Sequence, residues 1–266
     1  MKPDDSVQGV LLDIDGVLHV DDAPLPGAER TLEQLHDAGL PVRFVTNTST
    51  RTAAQLGERL RAMGLDIPDR AIFSAVSAAR RYLETRGARR VLFAVADAIR
   101  PEFSAFGAAD GDDADCVLIG DIGERWNHAL LERLFRALMA GAELVALHRN
   151  RYWQTHDGLR LDIGAYVAAL EAATGRAATV VGKPDAAFFA LAAGDMGVDP
   201  AHVIVVGDDI ESDIGGAQGA GMHGVLVRTG KYRDTLVARS EVRPDAIIDS
   251  IAALPGWLGL ANDRAR

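Results

Sequence analysis

Two aspartates, Asp13 and Asp15, lie at the end of the apolar run GVLL and are separated by a single residue. Alternate side chains of a strand point to the same face, so both carboxylates are expected on one side, where like charges repel. A bound cation would offset this repulsion, because Mg²⁺ takes carboxylate and carbonyl oxygens as ligands and also contacts substrate phosphate. The pair therefore indicates a metal site.

Polar groups that suit a phosphoryl group follow other apolar runs of the chain. A lysine ammonium and a threonine hydroxyl can hold phosphoryl oxygens, and an aspartate can attack phosphorus as a nucleophile. A second aspartate can protonate the leaving oxygen and later activate water. The candidates after these runs are Thr46, Asn47, Lys183, Asp208, Asp209 and Asp213.

The elements that must position these residues alternate between strand and helix. GVLLD, PVRFVT and HVIVVGD are strand-like, whereas AERTLEQLHDAG and RTAAQLGERLRAMG have helical patterns that end at glycine. The apolar runs lack polar alternation, which is typical of parallel strands covered on both faces. We therefore predict an α/β fold with a doubly wound, Rossmann-like parallel sheet, in which ligands bind beyond the carboxyl ends of the strands.

The middle of the chain, residues 77–180, has strand and helix patterns of its own and is long enough for a separate domain. We predict a smaller α/β cap domain there, inserted between two core segments, 1–76 and 181–266. Within the insertion, the basic and aromatic segment 147–158 is expected to be a loop. It is either an ordinary exposed loop or a surface that selects substrate. SDIGGAQGAG, residues 212–221, is predicted to be a core helix.

Four motifs occur in a fixed order: Asp-x-Asp-Gly-Val, Thr-Asn, Gly-Lys-Pro, and Gly-Asp-Asp with a further aspartate. This order resembles the haloacid dehalogenase-like hydrolase superfamily over nearly the whole chain. The spacing resembles the subfamily with a large α/β cap between the second and third motifs. VVGKPD and VRTGKYR look closest to the branch that contains phospholysine phosphohistidine inorganic pyrophosphate phosphatase.

The resemblance implies the roles of three aspartates and a cofactor. Asp13 would be the nucleophile and a ligand of Mg²⁺. Asp15 would be the general acid and base, and its backbone carbonyl would also bind the metal. Asp208 would be a further metal ligand.

It also implies roles for the remaining candidates. Thr46 would bind the phosphoryl group, with Asn47 near the substrate, and Lys183 would pair with Asp13 and the phosphoryl oxygens. The supporting acids Asp209 and Asp213 would hold metal-bound water or Lys183. Some of these residues could have purely structural roles instead. Thr46 could cap the start of a helix, and Asp209 and Asp213 could be the acids that favour the first turn of a helix in any protein.

The expected activity is hydrolysis of a small phosphate monoester. Members of the similar branch often carry serine where this chain has Asp15, and an acid there suits an alkoxide leaving group. Pyrophosphatase or phosphoamidase activity is the alternative, followed by a catalytically silent phospho-ligand binder. Two other functions fit less well. In a receiver domain the acid pair comes before the single phosphorylated aspartate, which is the reverse of the order in this chain. Carbon–halogen hydrolysis would need neither the metal-binding acids nor Asp15.

Composition limits the partners. The net charge of −10 argues against a nucleic-acid or anionic-membrane binder, and a single cysteine favours a reducing cytoplasm. No apolar run is long enough to span a bilayer. We expect a small phosphorylated substrate as partner and, because similar caps pair, a homodimer through the cap domain.

Overall fold

Strands and helices alternate along most of the chain in the computed structural model, which describes residues 7–155 and 158–260. The strands are β1 Gly9–Asp13, β2 His19–Val20, β3 Ala23–Pro24, β4 Val42–Thr46, β5 Ile72–Ser74, β6 Arg90–Ala94, β7 Gly107–Ala108, β8 Cys116–Ile119, β9 Glu143–Ala146, β10 Tyr152–Thr155, β11 Gly158–Leu161, β12 Thr179–Val180, β13 Val203–Gly207, β14 His223–Val227 and β15 Ala246–Ile248. The α-helices are α1 Ala28–Asp37, α2 Ala53–Ala62, α3 Ala75–Arg86, α4 His128–Ala140, α5 Ile163–Thr174, α6 Ala186–Gly194, α7 Gly216–Gly219, α8 Asp234–Arg239 and α9 Leu254–Trp257.

The described chain divides into two compact units. The first comprises residues 7–46, 53–73 and 183–260, and the second comprises 47–52 and 74–182. The divisions after residues 73 and 182 differ by a few positions from those predicted after 76 and 180. The short segment 47–52, expected in the core, is grouped with the second unit.

A six-stranded sheet forms the centre of the first unit, in the order β15-β14-β13-β1-β4-β5. The pairings of β1 with β13 and β4, and of β14 with β13 and β15, are all parallel. Asp13 pairs with Val45 and Leu12 with Val206, so β1, β4 and β13 end side by side. The predicted doubly wound α/β fold is confirmed.

Burial of the central strands explains their unbroken apolar sequences. All five residues of β1 and all five of β13 are buried, since helices cover both faces of the sheet. Helix α1 turns Thr31 and Leu35 inward, and the Thr31 hydroxyl donates to the Ile251 carbonyl at 3.2 Å. Among the described residues, no helix combines the length and the apolar character needed to cross a membrane.

The second unit has its own five-stranded parallel sheet, in the order β12-β9-β8-β6-β7. Apolar residues of α4 and α5, such as Leu134 and Val167, pack into one buried cluster with β8 and β9. The segment expected as a loop instead contains an antiparallel ribbon, in which β10 pairs with β11. The turn between these two strands lies outside the described residues.

Candidate active site

Three buried carboxylates and one lysine meet at the carboxyl ends of the first unit's strands. Asp13 ends β1, Asp208 follows β13, and Asp213 lies in a π-helical turn, Ile210–Gly215. One carboxylate oxygen from each lies within 4.8 Å of the others. Lys183 precedes α6 and is also buried. The sequence therefore predicted the members of this cluster, although they are up to 200 positions apart.

Lys183 joins two of the acids. Its Nζ lies 2.8 Å from Asp13 Oδ1 and 2.7 Å from Asp213 Oδ1. Burial alone would lower the pKa of Lys183, but the two carboxylates outweigh it and raise the pKa above its ordinary value. The two carboxylates therefore favour the charged form of the lysine. The backbone N–H of Ile14 also donates to Asp13 Oδ1 at 2.8 Å, which fixes this carboxylate's orientation.

Asp208 supplies the buried acceptor that a cation would need. Its Oδ2 accepts from the Lys231 backbone N–H at 2.7 Å, whereas its Oδ1 is buried with no hydrogen-bond partner among the described residues. Burial and the charges of Asp13 and Asp213 raise the pKa of Asp208 to about 8. An unpartnered carboxylate oxygen in an excess of negative charge fits a hard divalent cation such as Mg²⁺. Asp13 and Asp208 are the side chains that fit as its ligands.

Asp213 and Asp209 have local structural partners that limit their roles. Asp213 Oδ1 accepts from Lys183, and its Oδ2 accepts from the Asp209 backbone N–H at 3.1 Å. Asp209 Oδ1 accepts from the backbone N–H groups of Glu211 and Ser212, at 3.1 and 3.0 Å, and so caps the π-helical turn. Asp213 therefore holds Lys183, as one of its two predicted roles requires. Asp209 caps the first turn of a helix, which was the structural alternative for this residue. Its contact with metal-bound water stays a prediction.

The helix predicted over 212–221 is different in the structure. A π-helical turn covers Ile210–Gly215 and continues into the short helix α7. The wider turn brings the Asp213 side chain back against Gly207, where a Cβ added to the glycine would lie 2.2 Å from Asp213 Cβ. Only glycine at the end of β13 leaves room for this carboxylate.

The loop after β14 contributes residues that the sequence analysis did not identify as part of the site. Thr229 Oγ1 donates to the Gly16 carbonyl at 2.6 Å, and Lys231 donates to Asp208 through its backbone. Gly16 and Gly230 have positive φ values, 81° and 58°, and a Cβ on either would lie 1.9 Å from Asp208 Oδ2. The signal was available, since RTGK follows a core strand at the same edge of the sheet.

Asp15 lies two positions after Asp13 in the chain and, unlike the members of the buried cluster, is accessible. Its side chain is 57% exposed, and its Oδ1 lies 3.6 Å from Nε2 of His19, which is only 2% exposed. Burial lowers the pKa of His19, while the Asp15 carboxylate acts in the opposite direction. An exposed carboxylate two positions from the buried Asp13 is accessible for proton exchange with water.

The two remaining candidates fall in different units. Thr46 ends β4 and is buried in the first unit, next to the strand that carries Asp13. Asn47 begins the segment grouped with the second unit, where a Cβ on Gly182 would lie 2.6 Å from Asn47 Oδ1. Contact of Thr46 or Asn47 with substrate stays a prediction.

Comparison with known proteins agrees with this geometry. Residues 10–109 match the family of haloacid dehalogenase-like hydrolases, and residues 180–254 match a second family described as HAD-hydrolase-like. Haloacid dehalogenase-like hydrolase domain-containing protein 2 of Homo sapiens is 42% identical over 228 residues, which cover 86% of each chain. The chain belongs to the haloacid dehalogenase-like hydrolase family. The predicted resemblance is confirmed.

Further relatives of this haloacid dehalogenase-like hydrolase have names that state an activity. Phospholysine phosphohistidine inorganic pyrophosphate phosphatase of Danio rerio is 40% identical over 255 residues, or 93% of each chain. The solved 4-nitrophenylphosphatase of Thermotoga maritima has a TM-score of 0.88 at 27% identity and covers 96% of this chain and 98% of its own. The p-nitrophenyl phosphatase of Archaeoglobus fulgidus has the same TM-score at 29% identity, with coverages of 94% and 98%.

Proposed function

We propose that this hydrolase is a Mg²⁺-dependent phosphatase that cleaves a small phosphate monoester through an aspartyl-phosphate on Asp13. Its class, a hydrolase of phosphoric monoesters, agrees with the names of its relatives. The observation that carries the proposal is the buried Asp13–Lys183–Asp213 bridge next to the unpartnered oxygen of Asp208. A nucleophile, a fixed cation and a candidate metal ligand are thereby brought together.

The chain's own residues supply most of the chemistry. Asp13, held by Lys183 and the Ile14 N–H, attacks phosphorus, and the bond to the leaving oxygen breaks. Asp15 gives its proton to that oxygen, so the product leaves as an alcohol. The resulting Asp15 carboxylate then takes a proton from a water molecule that attacks phosphorus, which releases inorganic phosphate and restores Asp13.

The cations stabilise charge that develops during transfer. The Lys183 ammonium would contact a phosphoryl oxygen and stay paired with Asp213, and its pairing with that acid supports this role. When bound by Asp13 and Asp208, with the Asp15 carbonyl as a further ligand, Mg²⁺ would neutralise phosphoryl oxygens and orient them for in-line attack. Thr46, at the end of the adjacent strand, is proposed to donate its hydroxyl to the same group.

Pyrophosphatase or phosphoamidase activity is the second candidate, because relatives at 37–40% identity are named for it. The two candidates differ in what they require of Asp15. An alkoxide leaves poorly without a proton, whereas phosphate and amine leaving groups depend on a general acid less. The presence of an exposed aspartate at this position therefore favours the ester.

The first experiment is phosphate release from p-nitrophenyl phosphate, sugar phosphates, pyrophosphate and a phosphoramidate, with Mg²⁺ and with EDTA. We expect metal-dependent ester hydrolysis that Asp13→Asn abolishes, because an amide oxygen is a poor nucleophile. Turnover of pyrophosphate and phosphoramidate alone would favour the second candidate. Binding of phosphate esters without turnover would support a silent binder and refute the proposal.

We further propose a cytoplasmic enzyme and a homodimer formed through the inserted cap domain. The single cysteine, which is buried, supports a reducing compartment. Size-exclusion chromatography with light scattering tests the assembly. A monomer at micromolar concentration would rule out the dimer.

A further inference from the structure

We propose that His19 is a positioning residue for Asp15, which it holds in the orientation required for proton transfer to the leaving oxygen. This inference rests on the proposed function, since it assumes that Asp15 is the general acid. It adds a residue outside the four sequence motifs. Its effect is predicted to depend on the leaving group of the substrate.

The two side chains differ in their freedom to move. The Asp15 carboxylate is 57% exposed and would rotate freely in water, whereas the His19 ring is 2% exposed and fixed by its surroundings. Nε2 lies 3.6 Å from Asp15 Oδ1, slightly beyond hydrogen-bond length. A small rotation of the carboxylate closes this gap, and catalytic hydrogen bonds are commonly long before substrate binds.

The backbone fixes the separation of Asp15 and His19. The Gly16 N–H donates to the His19 carbonyl at 2.8 Å, the Leu18 N–H donates to the Ile14 carbonyl at 2.9 Å, and Asp15 and His19 form an isolated β-bridge. Residues 14–19 therefore make one tight backbone loop that includes both Asp15 and His19. Burial of the His19 ring, which is 2% exposed, restricts its rotation away from Asp15.

The short hairpin that begins with His19 is held from outside the loop. β2 and β3 pair in antiparallel fashion, and Asp21 between them has a φ of 52°, which is rare for a residue other than glycine. Arg59 donates to the Asp21 carbonyl at 2.7 Å and to Asp22 Oδ1 at 2.9 Å. Helix α2 thus anchors the element that carries the imidazole.

The chemistry of the ring suits this task. Imidazole can donate to an Asp15 carboxylate or accept from its protonated form, so it can hold the acid before and after proton transfer. The other ring nitrogen, Nδ1, is buried without a hydrogen-bond partner among the described residues. The polar groups that act on the ring are the Asp15 and Asp22 carboxylates, the Arg59 guanidinium and the backbone of Asp21, and the structure records an ion-pair contact of the ring with Asp15.

The test compares two substrates of similar size, p-nitrophenyl phosphate and benzyl phosphate, which have a good and a poor leaving group. His19→Asn removes the group at Nε2, whereas His19→Gln extends an amide to about that position. We expect His19→Asn to lower kcat for benzyl phosphate by about tenfold or more, within the usual size of general acid catalysis. The same variant should lose less than about threefold of its kcat for p-nitrophenyl phosphate, and this retained activity also shows that the variant is folded. His19→Gln should recover most of the benzyl phosphate activity.

Controls separate this role from others. His36→Gln, an exposed histidine of α1, should leave both rates unchanged. In an Asp15→Asn background, His19→Asn should add no further loss for benzyl phosphate. Equal losses for the two substrates, or no recovery with glutamine, would overturn the inference but leave the phosphatase proposal intact. If Asp15→Asn itself lowers both rates equally, Asp15 is not the general acid, and both proposals fail at that residue.

Discussion

Lys183→Met tests the charge balance of the buried cluster, because methionine keeps much of the side-chain volume and removes the cation. In the native chain the ammonium lies within 2.8 Å of carboxylate oxygens of both Asp13 and Asp213. Removal of one partner of a buried ion pair costs about 3–5 kcal/mol, because the other charge is left uncompensated. Two carboxylates lose the same partner here. We expect the free energy of unfolding at neutral pH, without Mg²⁺, to fall by at least about 3 kcal/mol.

The loss should depend on pH in a direction that the structure determines. Burial and Asp13 raise the pKa of Asp213, while Lys183 lowers it. Without the lysine this pKa rises further, so the folded variant binds a proton at a pH where the unfolded chain is ionised. A carboxyl group whose pKa is raised on folding makes the protein more stable as the pH falls. The defect of Lys183→Met should therefore shrink between neutral pH and a pH of about 5.

Urea unfolding followed by circular dichroism, in EDTA, measures both effects. Asp213→Asn and the double variant complete a cycle in which we expect a coupling energy of about 1–3 kcal/mol. Arg228→Met is the control, because Arg228 and Asp249 form an exposed pair at 3.5 Å, and such pairs contribute about 0–1 kcal/mol. A loss below about 1 kcal/mol, or one that is equal at both pH values, would refute the assumed charge balance.

Three further predictions concern Asp208 and the loop after β14. Because the pKa of Asp208 is raised to about 8, a proton should compete with Mg²⁺ for this carboxylate below that pH. The apparent Mg²⁺ affinity, measured by calorimetry, should then fall about tenfold for each pH unit below 8. An affinity that does not change with pH would contradict this. Gly230→Ala should lower both stability and Mg²⁺ affinity, since its Cβ would lie 1.9 Å from Asp208 Oδ2. The control is Gly39→Ala, because Gly39 has a similar φ but no atom within 4 Å of an added Cβ. It should lower stability alone, by about 1 kcal/mol. Lys231→Met should raise KM for pyrophosphate about threefold or more over its effect on p-nitrophenyl phosphate. The reason is that the ammonium is 63% exposed and only loosely paired with Asp209 Oδ2, at 3.6 Å, so it can turn to a second anionic group. Equal changes in both KM values would argue against this.

The sequence predicted those parts of the site that depend on strand ends. Asp13, Thr46 and Asp208 lie where β1, β4 and β13 end side by side, as expected for a parallel sheet. Lys183 and Asp213 also meet, although 30 positions separate them. The resemblance of the motifs to those of the hydrolase superfamily, and not the periodicity of the sequence, was the reason to pair Lys183 with Asp213.

Features that depend on loop geometry could not be predicted in the same way. A helical pattern does not distinguish the π-helical turn Ile210–Gly215 from an ordinary first turn, and that turn uses Asp209 as its cap. The contribution of Lys231 comes from its backbone N–H, which any residue other than proline could supply. The grouping of residues 47–52 with the second unit depends on long-range contacts that no local pattern encodes.

The packing of Gly16 and Gly230 against Asp208 has a consequence for laboratory evolution of this enzyme. A Cβ at either position would overlap Asp208 Oδ2, and both residues have backbone angles that glycine adopts most easily. Codon randomisation at these two positions would therefore yield mostly inactive clones, even though both glycines lie at the edge of the site where a new substrate would bind. Libraries that aim to broaden substrate scope should keep both glycines and vary the exposed side chain of Lys231 instead.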